Sequence, residues 1–129
     1  LYRAQALLGQ GKADAGLSAL RAQADGAAYE DVRAEAAFLL GKYYLEKTPP
    51  ELRLAQKYLE HSTKVYPRED SYLALGLCCV KLSSWDQALS AFEHVKNDFP
   101  KGNRKVIAEA DRWLSEVRGQ LAKQKSKKG

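Results

Sequence analysis

The chain has 129 residues and carries 21 Lys and Arg against 16 Asp and Glu, a net charge of +5 with its two histidines neutral. That is one domain's length, enough to bury a core, and no apolar run approaches the roughly 20 residues a membrane-spanning helix needs. The sequence begins at Leu1 and contains no methionine, which reads as a segment of a longer protein; cytosol and periplasm both stay open as its compartment.

Residues 1–27 read as a helical hairpin. Ala4 and Leu7 fall on a first helix, Gly9-Gln10-Gly11 breaks it, and Gly16-x3-Leu20 marks a second. A short linker over 25–28 leads to a long helix over 29–46, in which Ala37, Leu40, Gly41 and Tyr44 recur at three and four residues, the spacing of one helix face. Thr48-Pro49-Pro50-Glu51 is a predicted helix start, with Thr48 as cap and Glu51 completing a capping box. Ala55-x3-Leu59 and then Pro67 close this second hairpin, over 28–69.

The third hairpin, 70–102, is the clearest. Tyr72, Leu75, Gly76 and Cys79 share one face of a first helix, and Ala88, Phe92 and Val95 share one face of a second. Ser84 is the predicted cap between them, with Gln87 reaching back in a capping box. Gly76 and Ala88 are small where the helices cross, Tyr72 and Phe92 fill the space beside them, and Pro100 ends the second helix, since the residue before a proline avoids helical geometry. Gly41 precedes Gly76 by 35 residues, and Ala55 and Pro67 precede Ala88 and Pro100 by 33 each.

Tyr72-x2-Leu75-Gly76-x2-Cys79, Ala88-x3-Phe92 and Pro100, repeated as Ala37-x2-Leu40-Gly41-x2-Tyr44, Ala55-x3-Leu59 and Pro67, resemble the tetratricopeptide repeat (TPR), whose period is about 34 residues. Tyr72 stands for the family's tryptophan and Cys79 for its tyrosine, both conservative apolar changes. The resemblance implies an all-α fold, a right-handed α-solenoid of antiparallel helix hairpins. Val106, Ala110, Trp113, Val117 and Leu121 then form one apolar stripe, opposite Arg112, Glu116, Arg118 and Gln120. Residues 104–122 are therefore expected to be a C-terminal capping helix, which covers the apolar end a stack of hairpins leaves.

Charge is uneven along the chain. Residues 1–100 hold 12 cations and 13 anions, and residues 101–129 hold 9 and 3. Residues 123–129 contain four lysines and no apolar residue, so a basic disordered tail is expected there. Without interleaved aromatic residues, nucleic acid is set aside as the main partner.

Residues for catalysis are scarce. His61 and His94 each follow a glutamate and precede a proline by six residues, matching places on the surface of two repeats. A metal site would need further ligands there, and Glu60 and Glu93 point about 100° away on their own helices. Cys78 and Cys79 are neighbours whose bond would be strained, so they are expected as buried thiols rather than a disulfide or CxxC site. With no phosphate-binding glycine loop and no nucleophile elbow, the expectation is a non-enzymatic chain with no cofactor and no metal.

In TPR stacks the first helices of successive hairpins line a concave groove that binds peptides. The resemblance implies a groove of Glu35, Phe38, Lys42 and Leu45 from the second hairpin and Asp70, Leu73, Leu77, Val80 and Lys81 from the third. Independently, the helix over 72–82 is apolar nearly all round, and its partner helix alone covers only part of it. Leu73, Leu77 and Val80 are thus either groove or core. Some TPR proteins hold chaperone C-terminal carboxylates with lysine, arginine and asparagine; the corresponding places here are Gln5, Lys42, Ala74 and Leu77, so that clamp is missing. The expected function is a protein-interaction scaffold binding a protein or peptide in the groove. The alternative is a structural or self-assembly segment of a larger TPR protein, with nucleic-acid binding by the basic C-terminus a weaker option.

Overall fold

A computed structural model of the protein describes residues 13–26 and 29–128. The described residues form helices and connecting turns, without a strand. In chain order the helices are α1 (Ala13–Gly26), α2 (Glu30–Glu46), α3 (Leu52–Val65), α4 (Glu69–Lys81), α5 (Trp85–Asp98) and α6 (Arg104–Lys128). The chain divides into two compact units, Leu1–Pro67 and Arg68–Gly129. The expected first helix, with Ala4, Gln5, Leu7 and Gly9-Gln10-Gly11, lies outside the described residues.

In the first unit α1 packs on α2 and α2 on α3. From α1, Gly16, Leu17, Leu20 and Ala24 are buried. Helix α2 is buried around most of its circumference, through Ala34, Ala36, Ala37, Phe38, Leu40, Gly41, Tyr44 and Leu45, as a helix flanked by two others should be. Gly41 sets the α2/α3 approach: a Cβ there would stand 2.5 Å from Leu59 Cγ and 3.3 Å from the Leu59 backbone nitrogen. The Ser62 hydroxyl, fully buried, donates to the Ala34 carbonyl at 2.8 Å. That bond satisfies the hydroxyl and ties the last turn of α3 to the first turns of α2.

The α2/α3 turn differs from the sequence expectation. Helix α3 begins at Leu52 with Glu51 as its N-cap residue, and no side chain caps it. Thr48 is four positions from Leu52, too early to be the cap, and the Thr48–Pro49 peptide bond is cis. The reason lies in the double proline: Pro50 disfavours helical geometry at Pro49 as Pro49 does at Thr48. The Glu51 amide instead donates to the Tyr44 carbonyl at 2.9 Å.

In the second unit α4 and α5 form a hairpin and α6 packs on both, more extensively on α5. The core is Leu73, Cys79, Ala88, Phe92, Val95, Ala110, Leu114 and Val117. A Cβ on Gly76 would stand 2.5 Å from Phe92 Cε1 and 2.7 Å from Cζ, so the absent side chain makes room for the ring itself. Trp113 of α6 stacks with that ring, the centroids 6.2 Å apart and the planes nearly parallel.

The α4/α5 turn also departs from expectation. Ser84 is the N-cap residue of α5 but makes no side-chain cap bond. Its amide donates to the Cys79 carbonyl at 2.8 Å, and the Ser83 amide to the Val80 carbonyl at 3.0 Å. These are the two bonds of a Schellman motif closing α4. The amide that Gln87 was to satisfy is therefore already engaged. The motif places Ser83 at φ 57°, a left-handed geometry that costs an L-residue about 1–2 kcal/mol. Ser83→Gly is expected to raise stability by about 0.5–1 kcal/mol, and an unchanged or lower thermal midpoint would contradict this reading of the turn.

Helix α6 opens on Asn103, whose Oδ1 accepts from the Lys105 amide at 2.9 Å and the Val106 amide at 3.4 Å. The Asn103 amide in turn donates to Glu69 Oε1 at 3.3 Å. A capping box usually draws its acid from the same helix; here α4 supplies it, because Val106 occupies the place on α6. Along α6 the expected stripe is present, with Ala110 and Val117 buried and Val106, Trp113 and Leu121 half-buried, and Leu114 joins it as a core residue the periodicity had missed. The helix continues to Lys128 rather than ending at 122 before a disordered tail. Alanine, glutamine and lysine are good helix formers, and no proline or glycine interrupts 120–128.

Candidate partner-binding faces

On α2 the four expected groove residues fall on one side of the helix, spaced three and four apart. Phe38 and Leu45 are buried, while Glu35 and Lys42 are half-buried. The Lys42 ammonium lies 5.5 Å from the centroid of the Phe38 ring, within cation–π range, and 3.9 Å from Glu46 Oε1. Lysine thus covers the aromatic ring and leaves a polar outer surface on this helix.

Helix α4 carries the other five. Leu73 is 9% exposed and belongs to the core with Phe92 and Val117, whereas Leu77 and Val80 are half-buried at its edge. Asp70, half-buried, lies 4.0 Å from Arg68 Nε at one end of this strip, and Lys81 is exposed at the other. The structure thus divides the three apolar candidates: Leu73 is core, and Leu77 with Val80 offers a partly open apolar strip between an acid and a base.

Two features of the surface were missed in the sequence. Tyr29, 73% exposed, and Tyr66, 46% exposed, are the large exposed apolar residues among those described. The Ser62 bond to Ala34 puts both at the same end of the α2/α3 hairpin. The available signal was their position at a helix end, Tyr29 opening the predicted helix over 29–46 and Tyr66 just before Pro67, where periodicity assigns no face. The second is a contact of His94, expected as a plain surface residue. Its ring stacks on Tyr72 with centroids 4.7 Å apart, and its Nδ1 lies 2.8 Å from Asp98 Oδ2. Burial, and after it the Asp98 charge, pushes the Tyr72 phenol above its ordinary pKa. His61 is exposed.

The buried thiols Cys78 and Cys79 form no disulfide, and Gln87 Oε1 lies 3.9 Å from Cys79 Sγ. Among the described residues no group of three or more His, Cys, Asp or Glu is placed to hold a metal ion, and no helix is long and apolar enough to cross a membrane. No family model, no curated protein and no solved structure matches the chain.

Proposed function

We propose that the chain is a non-catalytic TPR-like interaction module, its hairpins forming a right-handed solenoid whose first helices present a peptide-binding surface. The observation that carries this reading is the same crossing made twice. Gly41 receives Leu59, and Gly76 receives Phe92, at positions 35 and 33 residues apart. Two hairpins with one packing rule and one spacing are what a helical repeat requires.

Within that reading, Leu77 and Val80 of α4 are the apolar contacts for a partner, with Asp70 and Lys81 as the polar ones beside them; on the first unit, Glu35 and Lys42 are the polar candidates of α2. The test is Leu77→Lys with Val80→Lys, which leaves Leu73 and the core in place. Circular dichroism is expected to keep its helical signal, and affinity capture from lysate is expected to lose a partner that the unchanged chain retains. A variant that stays folded and keeps every partner moves binding off this helix. If sedimentation instead shows the chain self-associating and the variant abolishing it, the self-assembly reading replaces the peptide-binding one.

A further inference from the structure

The chain's excess positive charge is concentrated at the end of α6. Arg118, Lys123, Lys125, Lys127 and Lys128 are five cations with no acidic residue among them, while residues 1–117 hold 16 cations and 16 anions. The whole net charge of +5 thus sits on eleven residues.

The structure adds that this segment is helical to Lys128. Leu121 is its last half-buried side chain, and every described side chain from Ala122 to Ser126 is exposed, with Gln124 bordering a cavity at the α4/α5 turn beside Ser84 and Asp86. Elsewhere on α6, Asp111 is engaged by Lys96 at 2.6 Å; among the described residues neither Arg118, Lys123 nor Lys125 has a carboxylate partner. At 100° per residue, the five positions cover about 220° of the helix circumference, more than one face, and leave an arc of about 140° without a cation. Positions 123 and 127 are also four apart, where like charges repel. A helix polar on every side gains nothing from packing, so a partner of opposite charge is what would stabilise it.

We propose that the α6 extension, residues 118–128, is a nucleic-acid-docking arm that sits in a groove of a duplex. Cations over more than half of the circumference suit a groove, where phosphates flank the helix on both edges and a major groove admits an α-helix. An anionic lipid surface meets only one side of a helix and rewards apolar residues that insert, and beyond Leu121 the arm has only Ala122. Because the contacts are to phosphates, binding should depend on salt and not on sequence.

The test is fluorescence anisotropy of a short mixed-sequence DNA duplex with the full chain, against a Lys123→Gln, Lys125→Gln, Lys127→Gln, Lys128→Gln variant. Glutamine keeps helix propensity, so helicity should be retained. With about four phosphates engaged, the unchanged chain is expected to bind about a hundredfold more weakly at about 200 mM salt than at about 50 mM. The variant is expected to lose most of both affinity and salt dependence, and the four-fold Lys→Arg variant to retain them. No binding at low salt, equal binding by the glutamine variant, or tighter binding to phosphatidylserine vesicles or polyglutamate than to the duplex would each overturn the proposal.

Discussion

Phe92→Ala is expected to lower the stability of the second unit by about 3–5 kcal/mol, the cost of emptying a buried aromatic site. Phe92 is fully buried, fills the space that Gly76 leaves open, and stacks with Trp113. It joins all three helices of its unit, so α4 and α6 lose a shared contact with it. Against the roughly 5–15 kcal/mol total of a domain, such a loss takes a large part of the margin. Chemical denaturation followed by circular dichroism checks this, and a loss under about 1 kcal/mol would mean that Phe92 is not the centre of this core.

Gly76→Ala is the second, and its sign should depend on position 92. In the unchanged chain the new methyl meets the Phe92 ring at 2.5 Å, a distance that forces the ring or the helices to move. Overpacking of this kind costs about 1–3 kcal/mol, partly offset by the roughly 1 kcal/mol that alanine gains over glycine inside a helix. A net loss of about 1–2 kcal/mol is expected. In the Phe92→Ala background the obstacle is gone and the methyl occupies part of the vacated space, so the same substitution should stabilise by about 1 kcal/mol. A double-mutant cycle measures the difference. Additive effects would show that the two residues do not meet.

Much of this packing was legible because it is periodic. Leu59 against Gly41 and Phe92 against Gly76 follow from apolar residues at three and four and from glycines at matching places. The helix ends were less legible because their bonds compete. Ser84 looked like a cap, but the Schellman closure of α4 had claimed its amide; Thr48 looked like a cap, but two successive prolines delayed the helix to Leu52. The Glu69 contact with Asn103 was invisible to a local rule because its partners are 34 residues apart. At the C-terminus composition misled. Lysines without apolar neighbours suggested disorder, whereas the Ala, Gln and Lys of 120–128 retain the propensity that extends α6. Among the candidate groove residues, spacing placed Leu73, Leu77 and Val80 together on one side of α4, yet α5 and α6 bury the first more deeply than the other two.

Among the described residues, every helix packs within its unit against its neighbour in sequence, and the one further pairing, α4 with α6, spans a single hairpin. Native contacts therefore close only short stretches of chain. Loop-closure entropy is small at each step, and chains built from such local contacts cross their folding barrier in about microseconds to milliseconds. Each unit can then form soon after its own last helix has been synthesised, so the apolar strip of Leu77 and Val80 and the Phe92 core spend little time exposed to other nascent chains.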